Sequence, residues 1–273
     1  MNKICIIGLG WLGLPLAHSL VNKGYEVSGS IRDESKLDVI KSKTINIFLL
    51  NIRNGDIEYS IPDLNIFDTY IINIPPNYRD KENYSDNISS LLNDISFDKK
   101  IIFISSTSVY TGNNGEIDDE TMPVADSLRA KQILNTEKLI TKYKKFSIIR
   151  FGGLIGMGRN PANFFNSSKA INQAGQFVNM IHLDDCIGVI SLILEKLDSD
   201  NYNYTINACM PQRRTKKEFY SIANKLLSKS VPNFSDERDY LQKKINPKYL
   251  IENLKYNFEF KDPIDALKFG TYS

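Results

Sequence analysis

The chain has 273 residues, with 34 lysines and arginines against 32 aspartates and glutamates, a formal net charge of +2 and three cysteines. That near-neutral balance gives no electrostatic footprint for nucleic acid or an anionic membrane, and isolated Cys5, Cys186 and Cys209 without a C-x-x-C spacing exclude a zinc or dithiol motif, leaving reduced, buried thiols. No apolar run approaches the ~20 residues of a membrane-spanning helix and no signal-peptide region precedes the first strand, so the expected location is the cytoplasm.

In chain order, KICIIG reads as a strand that runs into Gly8-x-Gly10-x-x-Gly13 and straight into an apolar helix, IIGLGWLGLPLAHSL over residues 6–20. In this pattern the first glycine permits a tight turn, the second lets a pyrophosphate approach the backbone and the third lets helix and strand pack closely. The helix N-terminus adds positive partial charge. Gly8, Gly10, Trp11, Leu12 and Gly13 are therefore the candidate cradle of a dinucleotide, against a merely structural glycine turn. His18, inside that helix, is expected to be a packed or surface residue.

YEVSGS is the second strand, and its end meets the adenosine ribose in such a fold. Ser30 and Arg32 there offer a hydroxyl and a guanidinium, which suit a 2′-phosphate and favour NADP over NAD. Asp33 stands either as a ribose acid or as the cap of a helix over ESKLDVIKS. INIFLL, TYIINI, IIFISS and FSIIRF continue the strand series, with Ile74 and Pro75 at the rim where a cofactor passes. Asp126 is expected to cap the helix SLRAKQILNTEKLITKY. Strands alternating with helices predict an α/β, Rossmann-type doubly wound parallel sheet covered on both faces. The alternation loosens after residue 151, so residues 1–155 are expected to form the NAD(P)-binding domain and 156–273 a small C-terminal α/β substrate lobe, interleaved with the last strands of the sheet.

The start GLGWLGLPLA resembles two groups, the β-hydroxyacid and nucleotide-sugar dehydrogenases and the short-chain dehydrogenases. The remainder separates them. IIFISSTSVYTG (101–112) resembles the S-S-x-x-V-Y-G segment of the extended short-chain dehydrogenase/reductase superfamily, the sugar-nucleotide epimerases and dehydratases. IIRFGGLIGMGRNP resembles its R-x-x-x-x-Y-G-P-G segment, NMIHLDDCIGVI its N-x-I-H-x-D-D helix start, and YTINACMPQRRTKKEFYSIA and KKINPKYLIENLKYNFEFKDP its closing elements. With its short length and glycine-rich start, the chain is similar to the atypical, YeeZ-like branch. The strand-containing C-terminal half leaves no room for the long all-helical domain of a β-hydroxyacid dehydrogenase.

The resemblance implies hydride transfer at a keto or hydroxyl carbon, with a nucleotide-linked sugar as substrate, NADP or NAD as cofactor and helix pairing into a homodimer. It places Ser106 on the substrate oxygen, beside Thr107, and expects a Y-x-x-x-K helix for the proton. This chain departs from that pattern. One register aligns Lys131 with the lysine and Ser127 with the tyrosine; another, matching Glu137 to a later glutamate, aligns Arg129 and Ile133 instead. No tyrosine lies between Tyr110 and Tyr143. Tyr110 is either a stand-in for the missing phenol or a tyrosine packed under its loop, and Lys131 either meets the nicotinamide ribose or is a solvated helix lysine. His182 is expected to hold its loop while Asp184 caps the next helix, with catalysis the lesser reading. Asn179 and Arg159 border the loop that binds the nucleotide part of the substrate in that superfamily. The missing tyrosine also motivates a rival, an NADP(H)-binding sensor or assembly protein without chemistry.

Overall fold

The computed structural model describes residues 2–37, 40, 44–76, 84–164, 170–199, 203–235 and 240–269. Strand β1 (Lys3–Ile7) carries Ile4, Cys5, Ile6 and Ile7 with no exposed surface, the continuous apolar run that a parallel strand buried on both faces requires. It pairs in parallel with β2 (Glu26–Ile31) on one side and, skipping over β3 (Asn46–Arg53) and β4 (Asp56–Tyr59), with β5 (Thr69–Ile72) on the other. β6 (Lys100–Ser106) lies beyond β5. The eight-stranded sheet runs Tyr204–Ala208, Lys145–Phe151, β6, β5, β1, β2, β3, β4. Strand order reverses at β1, the switch point where open α/β sheets form a crevice at the carboxyl ends of their strands. The expected doubly wound parallel sheet is the observed one.

β4 was not anticipated. It returns antiparallel to β3 through Asn54 and Gly55, at φ +52° and +85°. Asn-Gly with both residues at positive φ is the strongest short-range hairpin signal a sequence offers, and it stands in IRNGDIEY.

The chain forms two compact units, one of residues 1–109, 126–149 and 190–205, the other of 110–125, 150–189 and 206–273. The first holds the sheet from β1 to β6 with helices α1 (Gly13–Asn22), α2 (Tyr84–Asn93) and α3 (Leu128–Ile140). Two of the expected caps differ in outcome. Asp33 does cap, accepting from Ser35 N, but the described helical residues after it are the single 3-10 turn Glu34–Lys36, and residues 38–39 and 41–43 of the expected helix lie outside the described residues. Asp126 does not cap α3; Ser127 does, one residue later, because its extended backbone (φ −92°, ψ 151°) brings its own Oγ to Ala130 N.

The second unit is built of short two-stranded pairings, Gly153–Ile155 with Met180–His182 and Gly115–Ile117 with Lys243–Ile245 among them. Phe219, Tyr220 and Ala223 of the helix Lys216–Leu226 bury against Ile155, Val178 and Phe260. That helix starts on a full capping box, with Thr215 and Glu218 satisfying each other's backbone N–H groups. The three cysteines are free and buried.

Candidate functional site

At the carboxyl ends of β1, β2 and β5 the first unit opens a cleft of about 320 Å³, lined by Gly8, Gly10, Ser30, Arg32, Ile74 and Pro75 among others. The three glycines meet three different steric demands. Gly8 sits at φ +106°, and a Cβ there would lie 2.9 Å from Asn73 O. Gly13 has Gly8 O only 2.1 Å from where its Cβ would stand, so helix and turn touch backbone to backbone. Gly10 is different: a Cβ would meet nothing within 4 Å. A side chain is excluded at Gly8 and Gly13 by the protein itself, whereas at Gly10 there is open space in the cleft that a ligand would fill.

Helix α1 begins beside that space. Its N-cap is Leu12, which supplies no side-chain hydrogen bond. In the first turn Leu14 N donates to Gly10 O at 3.0 Å and Pro15 has no N–H, so Gly13 N and the positive end of the helix dipole are what the helix start offers an anion. The open space at Gly10 and the uncapped helix start fit the pyrophosphate of a dinucleotide. Leu12 is buried and Trp11 half-buried, and neither lines the cleft. His18 is exposed on α1.

The turn is locked by residues the sequence did not single out. Asn73 Nδ2 donates to Gly8 O at 3.2 Å, while Tyr84 on α2 donates its hydroxyl to Ile74 O at 2.8 Å. Ser30 is buried, and its Oγ accepts from Gly8 N at 3.1 Å, which makes it a brace for the glycine turn as well as a wall of the cleft. Arg32 is exposed at the cleft, with Asp33 and Lys36 beside it. Asp33 Oδ1 accepts from Ser35 N and Oγ, and these bonds hold its carboxyl below the usual carboxylate range.

The residues expected to do chemistry fall into different settings. Ser106, at the end of β6, is half-buried, and its Oγ accepts from Ser108 N at 3.1 Å, which fixes the oxygen and leaves its O–H as a donor. Thr107 is buried at the start of the following turn. Ser127 and Lys131 stand one helical turn apart, Lys131 N donating to Ser127 O at 3.0 Å, and both are exposed. Ser127 is thus a cap at the mouth of α3, outside the helix that should have carried a tyrosine. In the alternative register Glu137 is buried and accepts from Ser105 Oγ at 2.6 Å, tying α3 to β6, while Arg129 is exposed and Ile133 buried. Ser127→Ala is expected to lower stability by about 1 kcal/mol, the usual worth of a serine N-cap, read as a fall in thermal midpoint at unchanged dinucleotide affinity.

In the second unit the geometry decides one open alternative, at Tyr110, and differs from two expectations, at Asn179 and Asp184. Tyr110 has no exposed surface; its hydroxyl accepts from Arg150 Nη1 at 2.6 Å and the guanidinium lies over its ring at 5.2 Å. That is the packed tyrosine, held in place by a buried arginine, and not a phenol presented to a substrate. Asn179 donates to Lys243 O and accepts from Ile245 N, both at 3.0 Å, so its amide extends a strand pairing. It is a frame residue. Asp184 does not cap its helix through its carboxylate: its N–H donates to His182 Nδ1 at 3.3 Å, and the imidazole beside it keeps its carboxyl below the usual range. His182 is buried against Phe260, ring centroids 4.5 Å apart, as the loop-holding reading expects. Arg159 is exposed, with Nε donating to Leu154 O and the guanidinium over Phe164.

The residue that does latch the helix α4 (Leu183–Ser199) is Asp185, fully buried, accepting from Tyr256 Oη, Glu259 N and Phe260 N at 2.8 to 3.2 Å. Burial pushes its carboxyl above the usual range, the hydrogen bonds opposing. Among the described residues no group of three or more histidine, cysteine or acidic side chains could hold a metal ion, and no helix is long and apolar enough to cross a membrane.

Residues 3–113 match the family model of the NAD binding domain of 6-phosphogluconate dehydrogenase. Over its full length the chain is similar to protein YeeZ of Escherichia coli K12, at 30% identity over 274 residues, covering 97% of this chain and 98% of that one. Among solved structures it is similar to UDP-glucuronic acid 4-epimerase from Bacillus cereus in complex with NAD (18% identity, 99% of this chain and 100% of that one, TM-score 0.70). It is also similar to a human epimerase family protein with NADPH (16% identity, 97% and 98%, TM-score 0.69).

Proposed function

The chain belongs to the YeeZ family, an atypical branch of the extended short-chain dehydrogenase/reductase superfamily, and from that premise we propose that it is an NADP-preferring reductase or epimerase acting on a keto or hydroxyl carbon of a nucleotide-linked sugar. The observation that carries the cofactor half is the cleft itself: an unfilled Gly10, an uncapped α1 and Arg32 at the end of β2. Arg32 supports NADP over NAD because a guanidinium suits a 2′-phosphate, where a carboxylate would select a free ribose hydroxyl. When bound, the cofactor supplies or accepts hydride at C4 of its nicotinamide.

The protein's own part in the chemistry centres on Ser106. Anchored by Ser108 N, its hydroxyl donates to the substrate oxygen and so favours the carbonyl as charge builds on it. With Tyr110 packed away, the proton passes through water, for which Ser127 and Lys131 are the nearest matches to the family's acid/base pair. Arg159 supports a diphosphate-bearing substrate in the second unit, which we read as the substrate lobe, and the lack of a spanning helix among the described residues is consistent with cytoplasmic work. Ser106→Ala is expected to lower kcat/KM about 100-fold with NADPH affinity unchanged, measured as hydride transfer from NADPH to keto-sugar nucleotides. A purified chain that binds no dinucleotide in calorimetry overturns the proposal.

A second reading has its own observation. Tyr110 is sealed by Arg150 and Ser127 is a helix cap, so neither presents an acid of phenol strength. A protein that binds NADP(H) and responds to its redox ratio without turnover needs only the cleft. Tight NADPH binding together with no turnover on any keto-sugar nucleotide selects this reading; a single productive substrate removes it.

A further inference from the structure

The chain on either side of Ser106 is tied to a buried charged residue. On the strand side Ser105 Oγ donates to Glu137 Oε1 at 2.6 Å. On the other side the chain makes one 3-10 turn, Thr107–Tyr110, and ends in the fully buried Tyr110, whose hydroxyl accepts from Arg150 Nη1 at 2.6 Å while the guanidinium stands 5.2 Å from the ring centroid. Between these two ties Ser106 Oγ accepts from Ser108 N at 3.1 Å, the bond that fixes the oxygen. We propose that Arg150 is a positioning residue for Ser106: through the Tyr110 hydroxyl it holds the turn that carries Ser108 N, and so sets where the Ser106 oxygen stands. The inference rests on the role given to Ser106 in the reading above and extends it to a residue that acts through the turn.

A single 3-10 turn has little stability of its own, because its hydrogen bonds are poorly aligned and it is too short for helical cooperativity. Its side chains must supply what holds it. Ser108 Oγ is buried and pairs with no described residue, and Val109 is buried but brings only apolar packing. Tyr110 brings a charge-assisted hydrogen bond, about twice the strength of a neutral one, together with a cation over its ring. Glu137 fixes Ser105 and with it the end of β6, but the Ser106 oxygen is oriented by Ser108 N, which belongs to the turn. Orientation at this point bears on rate, since misplacing a reacting group by about 1 Å can cost about 100-fold.

The test is amide hydrogen exchange resolved by residue in the full chain, because Ser108 N–H reports its bond to Ser106 Oγ without any substrate. Ser106→Ala removes the acceptor and sets the unprotected rate. Tyr110→Phe keeps the ring and removes only the hydroxyl; it is expected to speed Ser108 exchange about tenfold and to leave unchanged Ile102, which pairs with Ile71 between β6 and β5. The same change strands the Arg150 donor and should lower the thermal midpoint. Tyr110→Phe combined with Arg150→Met removes both partners and is expected to recover part of the midpoint with Ser108 still fast. Ser108 protection that survives in Tyr110→Phe, or that returns in the double variant along with the midpoint, overturns the proposal, because Arg150 then serves only stability. With a keto-sugar nucleotide that the chain reduces, Tyr110→Phe is expected to lower kcat about tenfold at unchanged KM and NADPH affinity, and an unchanged kcat overturns the proposal as well. Full turnover in Ser106→Ala overturns the role of Ser106 itself. A chain with no turnover on any keto-sugar nucleotide overturns the reaction, while exchange at Ser108 still decides whether Arg150 holds the turn.

Discussion

Gly10→Ala is expected to leave the folded protein as stable as before and to weaken NADPH binding roughly 10- to 100-fold. The first half follows from the space around the residue. An added methyl meets no heavy atom within 4 Å, and Gly10 does not sit at a positive φ, so nothing in the protein opposes it. Replacing glycine by alanine at a compatible conformation tends to stabilise by about 0.4–1 kcal/mol through the unfolded chain. The second half follows from where that methyl goes: into the cleft beside the start of α1, where a pyrophosphate must approach the backbone to reach the helix N–H groups. Gly13→Ala is the contrasting control. Its methyl would stand 2.1 Å from Gly8 O, backbone against backbone, so the chain itself fails, with a lowered thermal midpoint in the absence of any ligand. Calorimetry and a melting curve on the two variants separate a binding glycine from a packing glycine. Full NADPH affinity in Gly10→Ala would remove Gly10 from the site.

The same contrast shows which parts of the molecule were legible before the structure. β1, β5 and β6 were, because buried parallel strands are written as apolar runs such as ICII and YII, and the glycine turn was, because positive φ at Gly8 and contact at Gly13 admit no other residue. The braces of that turn were not. Asn73, just after β5, and Tyr84, on α2, supply them, and an asparagine that caps a turn across 65 residues leaves no periodicity behind. Asn179 misled for a related reason: its motif places it beside the nucleotide loop, but Lys243 and Ile245, distant in sequence, claim both ends of its amide. The hairpin at Asn54-Gly55 is signalled in the sequence by Asn-Gly between two strand-forming runs. Lys36 carried no signal until the turn capped by Asp33 carried it to the cleft wall.

The second large effect is expected at Asp185. In I-H-x-D-D the two acids look equivalent, and only burial distinguishes them: Asp184 is half-exposed beside His182, whereas Asp185 is fully enclosed and receives Tyr256 Oη, Glu259 N and Phe260 N. These bonds pin residues 256–260 to the first turn of α4. Gly188, one turn on, is needed for the same contact, since a Cβ there would lie 2.3 Å from the Tyr256 hydroxyl. Asp185→Ala strands these donors, at least one of them buried, and is expected to lower stability by about 3 kcal/mol, a fall of roughly 6–12 °C in thermal midpoint. Asp185→Asn keeps one acceptor oxygen and should lose less. The pH dependence has a definite sign. Because burial raises the folded-state pKa of Asp185 above its unfolded value, its contribution is fully present below the ordinary carboxylate pKa and is lost as pH rises through the raised one. The stability advantage of the native chain over Asp185→Asn should therefore be largest in acid and shrink toward neutral pH. An advantage that instead grows with pH would mean that the ionised form of Asp185 is the one the fold prefers, and that hydrogen bonding, not burial, governs the latch.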